Sequence, residues 1–132
     1  MPAAEIWSRV EEFFAARLAA LDTEGIGRDR LILDPGMGFF LSSDATASLR
    51  VLARLDRLKR RFGLPVLVSV SRKSFLGAVT SHREPGAFGP ATLAAELYAA
   101  AKGADFIRTH DPGALRDALK VMAALDAENG PT

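Results

Sequence analysis

An α/β fold assembled from parallel βα units is predicted by three features of this 132-residue sequence. Short apolar runs alternate with longer stretches of helical periodicity, and glycine and proline stand at the junctions between them. Each apolar run ends directly in polar residues. Leu31-Ile32-Leu33 leads into Asp34-Pro35-Gly36-Met37-Gly38, Val66-Leu67-Val68-Ser69-Val70 into Ser71-Arg72-Lys73-Ser74, and Phe106-Ile107 into Arg108-Thr109-His110-Asp111.

The elements follow in order. Pro2 suits a first helical turn, and Ile6, Val10, Phe13, Phe14, Leu18 and Leu21 recur at helical spacing until Gly25 and Gly27, so an amphipathic helix opens the chain with Trp7, Phe13 and Phe14 in its core. Arg30 to Leu33 reads as a first strand closed by Pro35-Gly36. Ser42, Ser43 and Asp44 are candidate caps for a helix along which Leu49, Leu52, Leu55, Leu58 and Phe62 line one side, stopped by Gly63. Pro65 opens the second strand. Ser81 to Pro90, rich in proline and glycine, reads as an exposed loop containing His82, and a helix runs from about Ala91 to Lys102. Ala104 to Arg108 is the third strand, and Asp111-Pro112 caps a last helix carrying Leu115, Leu119 and Met122.

This alternation is the pattern of parallel βα units joined by right-handed crossovers, in one domain covering residues 1–132. A closed barrel of this type needs eight strands, so the expected architecture is a partial (β/α)8 (TIM) barrel of about three βα units with a preceding helix and two unpaired sheet edges.

Composition narrows the partners. The 17 basic residues nearly cancel the 16 acidic ones, giving a net charge of +1, so nothing global favours nucleic acid or an anionic membrane. The absence of cysteine fits a reducing compartment, no run approaches the roughly 18 apolar residues of a membrane span, and the acidic start does not resemble a signal peptide, so a cytoplasmic location is expected. The stripe Arg50, Arg54, Arg57, Lys59, Arg60 and Arg61 is interleaved with core-spaced leucines and reads as a solvated helix face.

In folds of this kind ligands gather at the carboxyl ends of the strands, where all three polar clusters fall. Asp34 either projects into a pocket, accepting N–H donors from a heterocycle, or merely caps its own Pro-Gly turn. Arg72 and Lys73 follow a continuous apolar strand, a placement that favours an anionic ligand over bulk water. Ser69, Ser71 and Ser74 read as hydrogen-bonding groups rather than nucleophiles, since no histidine lies beside them in sequence. Arg108 and His110 alternate, so in extended backbone both face one side, next to a helix start at Asp111-Pro112, a combination suited to phosphate or pyrophosphate. The blander alternative gives His110 a capping role and Arg108 an acidic partner.

Leu33-Asp34-Pro35-Gly36-Met37-Gly38-Phe39, Ser71-Arg72-Lys73-Ser74-Phe75-Leu76-Gly77 and Arg108-Thr109-His110-Asp111, in this order, resemble the C-terminal part of dihydropteroate synthase. The resemblance spans nearly the whole chain. It implies strands six to eight of a TIM barrel and a transferase of folate biosynthesis that joins 4-aminobenzoate to a dihydropterin pyrophosphate with release of pyrophosphate. By the same resemblance Asp34 and Lys73 hold the pterin ring, Ser71 and Phe39 border the aminobenzoate pocket, and Arg108 with His110 grip the pyrophosphate. Lys73, Arg108 and His110 are then the catalytic candidates. Magnesium is implied as cofactor, its ligands expected on earlier strands that have no counterpart here. Phe39-Phe40-Leu41 replaces the lysine many members carry, and the loop is about two residues longer, features similar to the sulfonamide-insensitive, plasmid-borne branch.

Two readings other than a synthase portion stay open on the residues: a non-catalytic anion-binding or assembly module, and a half-barrel enzyme acting on a sugar phosphate. In the first reading little turnover is expected from this chain alone, which should form a homo-oligomer or associate with the rest of a barrel.

Overall fold

The computed structural model describes residues 3–38 and 44–130. Helix α1 (Ile6–Thr23) is followed by α2 (Ala45–Ala53), α3 (Leu55–Phe62), strand β1 (Leu67–Val68), α4 (Ser74–Thr80), α5 (Gly89–Ala101), strand β2 (Phe106–Ile107) and α6 (Pro112–Glu128).

Strands β1 and β2 pair in parallel, Leu67 with Phe106 and Val68 with Ile107, and an isolated parallel bridge joins Leu33 to Val66. The Leu33 amide donates to the Pro65 carbonyl, the Leu67 amide to the Leu33 carbonyl, and the Arg108 amide to the Val68 carbonyl. Three segments therefore lie side by side in chain order, as in part of a parallel barrel, with helices between them.

The register sorts the side chains by face, because successive residues of an extended chain point to opposite sides. Leu33, Val66, Val68 and Val70 point toward the helices and are buried. The other face, carrying Leu67, Ser69, Phe106 and Arg108, is only partly covered or exposed, and Ile32 (50% exposed) and Phe106 (49%) mark its open margins. The core lies on the helical side. Ile6, Val10, Phe14 and Leu18 of α1 pack with Val51, Leu55, Leu58 and Phe62, and Phe14 meets Phe62 edge to face at 5.9 Å.

Several sequence expectations need correction. The first strand does not run from Arg30 to Leu33: Arg28–Arg30 is a 3-10 turn and only Leu33 bridges, because no strand lies on its far side to extend the ladder. The third strand is likewise shorter than Ala104 to Arg108. The helix expected through Phe62 is two helices. The backbone breaks at Arg54 (φ −124°, ψ 32°), and Leu52 and Leu55 on either side of the break are both buried in the core. Leu49 is exposed, as are Leu119 and Met122 on α6. Phe13 is not a core residue but stands 55% exposed, with the Arg17 guanidinium over its ring.

The boundary signals read correctly. Asp44 caps α2 by accepting the Thr46 amide, and Ser42 and Ser43 lie outside the described residues. Gly63 ends α3 at φ +66°, a left-handed conformation that favours glycine. Asp111 caps α6 by accepting the Ala114 amide, with Pro112 in the first turn. The basic stripe is a solvated face whose members pair with acids: Arg57 with Glu11 at 2.8 Å, Arg60 with Asp56 at 2.6 Å and Lys59 with Asp105 at 3.0 Å. No helix among the described residues is long and apolar enough to cross a membrane.

Candidate active site

The half-open face of the sheet leads into a cleft of about 800 Å3 at the carboxyl ends of the strands. Asp34, Ser69, Lys73 and Arg108 line it from the sheet side, and Arg9, Glu12 and Phe13 of α1 line it opposite. The exposure of Phe13 follows from this position on the cleft wall. One carboxylate and two cations from three separated segments thus meet around one volume.

Each segment is held by the local chain. Asp34 Oδ1 accepts the Gly36 amide at 2.9 Å, and Gly36 (φ +73°) and Gly38 (φ +66°) take left-handed turns that return the chain toward α2. Asp34 therefore fills both roles open to it: it caps its turn and lines the cleft. The buried Ser48 hydroxyl accepts the Gly38 amide at 2.8 Å, which ties this loop to α2. The Lys73 side chain runs past Gly38, where a Cβ would come within 3.9 Å of Lys73 Cδ.

Arg72 is one of two non-glycine residues with positive φ among the described residues, at +57°, and its amide donates to Thr92 Oγ1 at 3.1 Å. Arg108 is exposed at the rim and makes no ion pair among the described residues, so the acidic-partner alternative has no support. His110 departs from the expected alternation. It does not line the cleft with Arg108 but turns toward Ser71, its Nδ1 2.7 Å from Ser71 Oγ and its amide donating to that oxygen at 3.2 Å. Ser71 is buried. Phe39 lies outside the described residues. His82 is exposed, as expected, and lines a separate hollow of about 460 Å3 with Arg72 and Arg83.

Sequence reading missed Ser48, Thr92 and Glu96, buried polar residues behind the rim. Burial pushes the Glu96 carboxyl above its ordinary range, opposed by a hydrogen bond from Thr109. Thr92 and Glu96 four residues apart in an alanine-rich helix were the available signal. Among the described residues no three His, Cys, Asp or Glu side chains converge on a point, so these residues do not form a magnesium cage by themselves.

A parallel βα array with a carboxylate and two cations around one cleft at its carboxyl rim has the architecture of an α/β barrel portion with a polar ligand-sized site. The chain belongs to the pterin binding enzyme family, whose sequence pattern matches residues 2–110. Its relatives within that family are dihydropteroate synthases. It is 64% identical over 124 residues to the type-2 synthase of Escherichia coli, covering 94% of this chain and 45% of that enzyme, and 58% identical over 116 residues to the type-1 synthase of Escherichia coli, covering 88% and 41%. It superposes on the dihydropteroate synthase of Xanthomonas albilineans in complex with 7,8-dihydropteroate with a TM-score of 0.86 and 36% identity, over 96% of this chain and 48% of that one. The chain therefore spans under half the length of these relatives.

Proposed function

We propose that this chain forms strands six to eight of a dihydropteroate synthase barrel and supplies one half of its active site. The observation that carries this reading is the common cleft lined by Asp34, Lys73 and Arg108. Dihydropteroate, bound by the structural relative, is the condensation product of the two substrates proposed here, 4-aminobenzoate and a dihydropterin pyrophosphate.

In this reading Asp34 accepts N–H donors of the pterin while Lys73 lies along the ring. The amine of 4-aminobenzoate forms a C–N bond to the pterin methylene carbon as the C–O bond to pyrophosphate breaks. The bonding electrons leave with pyrophosphate and the amine loses a proton. Arg108 lowers the barrier by facing the charge that develops on the leaving group, an interaction stronger in the transition state than in the ground state. His110, steadied by Ser71, assists from beside the cleft; Ser71, buried and outside the cleft lining, reaches the aminobenzoate pocket only through that contact, and Phe39 is assigned to the pocket by the resemblance alone. Magnesium would supply further charge stabilisation, on ligands expected from the remaining strands of the barrel.

The enzyme is proposed to act in the cytoplasm, without nucleic acid or membrane partners, and to require assembly with the remaining strands or with further copies. The Phe39-Phe40-Leu41 loop, through its resemblance to the sulfonamide-insensitive branch, supports discrimination against sulfonamides. A complete enzyme carrying this loop that bound a sulfonamide as tightly as an ordinary synthase does would contradict that. The main test is a synthase assay on the chain alone and mixed with the separately produced remainder of the type-2 enzyme. Product should form only in the mixture and should disappear with Lys73→Met. Steady Lys73-dependent turnover by the chain alone would refute the need for assembly, and none in a folded mixture would refute the activity.

A further inference from the structure

Helix α5 is mostly alanine and leucine, yet Thr92 and Glu96 are buried on it. Four residues apart, they share one helix face. Thr92 accepts the amide of Arg72, whose left-handed backbone a non-glycine residue adopts only when its surroundings hold it there. Glu96 is 1% exposed, and Thr109, whose Oγ1 accepts the Asp111 amide at 3.2 Å, lies near enough to oppose the rise that burial causes in its pKa. His110 and Ser71 then join the two loops to each other. These contacts form an open circuit, from Thr92 on α5 through Arg72 and Ser71 to His110, with Glu96 buried one turn along α5.

The composition of the circuit is unusual for a packing role. Glu96 Oε2 is buried without a hydrogen-bond partner among the described residues, and the charges facing it are Asp111, which raises its pKa, and His110, which lowers it. A leucine would fill the same space without burying a carboxyl group.

We infer that Thr92, with the buried Glu96 one turn further along α5, is a positioning residue that fastens the Ser71–Lys73 loop to this helix and, through Ser71 and His110, the Arg108–Asp111 loop, and so sets the spacing of Lys73 from Arg108 and His110. The inference deepens the synthase reading and rests on it for the identity of the anion. The links from Thr92 to Arg72 and from Ser71 to His110 stand on geometry alone.

The test uses the whole 132-residue chain, heteronuclear NMR and inorganic pyrophosphate as probe. T92V and E96A should each weaken pyrophosphate binding about tenfold and shift the Arg72 and His110 amide signals together, although each variant touches one loop, while T92S and E96Q stay within about twofold of the parent. In the parent chain, Thr109 and His110 signals should report a transition above the ordinary carboxyl value of 4.5, which E96Q abolishes. Folded T92V and E96A with unshifted signals on the opposite loop, or with parental affinity, would overturn the inference. Should those two variants not fold, T92S, E96Q and the pH transition decide it. A cross-loop response without any pyrophosphate effect on Arg108 or His110 would support the tether and refute the anion reading.

Discussion

Ser71 Oγ receives two groups of His110, its amide at 3.2 Å and its ring Nδ1 at 2.7 Å, across 39 residues of chain. The hydroxyl has one proton and two lone pairs, so it can accept the amide and still either donate to Nδ1 or accept from it, according to the ring tautomer. The strand-end serine thereby engages Nδ1, orients the ring and leaves Nε2 as the nitrogen open to a ligand.

Ser71→Ala removes that control. Losing the contact costs about 1 kcal/mol of ordering, so inorganic pyrophosphate should bind roughly fivefold more weakly. Calorimetry gives the affinity, and 15N shifts of the His110 ring should lose the signature of a single tautomer. Unchanged affinity together with an unchanged tautomer would separate Ser71 from the function of His110.

Two carboxyl groups should set opposite pH slopes of stability. The Val66 amide and Lys59 ammonium hold the Asp105 carboxyl below its ordinary 3.8, so its contribution is present above that value and is lost as pH falls through the lowered one. Glu96, raised by burial, works in reverse. The folded chain retains a proton that the unfolded chain has lost, so stability declines as pH rises from 4.5 through the raised value. Urea unfolding should show E96Q flattening the upper slope. Asp105→Ala should flatten the acid slope and cost about 1–3 kcal/mol by leaving the buried Val66 amide unpaired, and Asp105→Asn should cost less.

The strand-end motifs were legible because burial and chemistry coincide there: a continuous apolar run must be buried, and the polar residues ending it must sit on the rim. Asp34, Lys73 and Arg108 follow from that rule. Helix ends were equally legible, since Asp44, Gly63 and Asp111 each satisfy backbone groups locally. What sequence concealed depends on neighbours across the fold. Phe13 has the spacing of a core residue, and only the position of α1 beside the cleft exposes it. Likewise the turn of His110 toward Ser71 and the burial of Glu96 require partners 39 and 13 residues away in the chain.

Two glycines should respond differently to alanine. At Gly77 an added Cβ would lie 2.5 Å from Phe88 Cζ and 2.7 Å from the His82 carbonyl oxygen, so Gly77→Ala must displace α4 or the following loop and should cost about 1–3 kcal/mol. Gly63 has open space around it and only its φ of +66° to violate, so Gly63→Ala should cost about 1–2 kcal/mol. Denaturant midpoints check both, and of the two only Gly77→Ala should move the amide signals of Phe88 and His82.

The open sheet face predicts association. Ile32 and Phe106 mark its margins, and Val121 and Leu125 project from α6. Uncovered strand edges pair readily with other chains, so size-exclusion chromatography at micromolar concentration should show species larger than one chain, moving toward the monomer after Ile32→Lys and Phe106→Lys are combined. A compact monomer of the unaltered chain would contradict this.

The central claim is that Asp34, Lys73 and Arg108 act on one ligand in one cleft. Calorimetric titration of the chain with a dihydropterin pyrophosphate tests it most directly. The account predicts binding that weakens by about tenfold or more in each of Asp34→Asn, Lys73→Met and Arg108→Met, with free pyrophosphate sensitive to Arg108→Met but not to Asp34→Asn. Binding untouched by all three substitutions, or no binding by a folded chain, would contradict it.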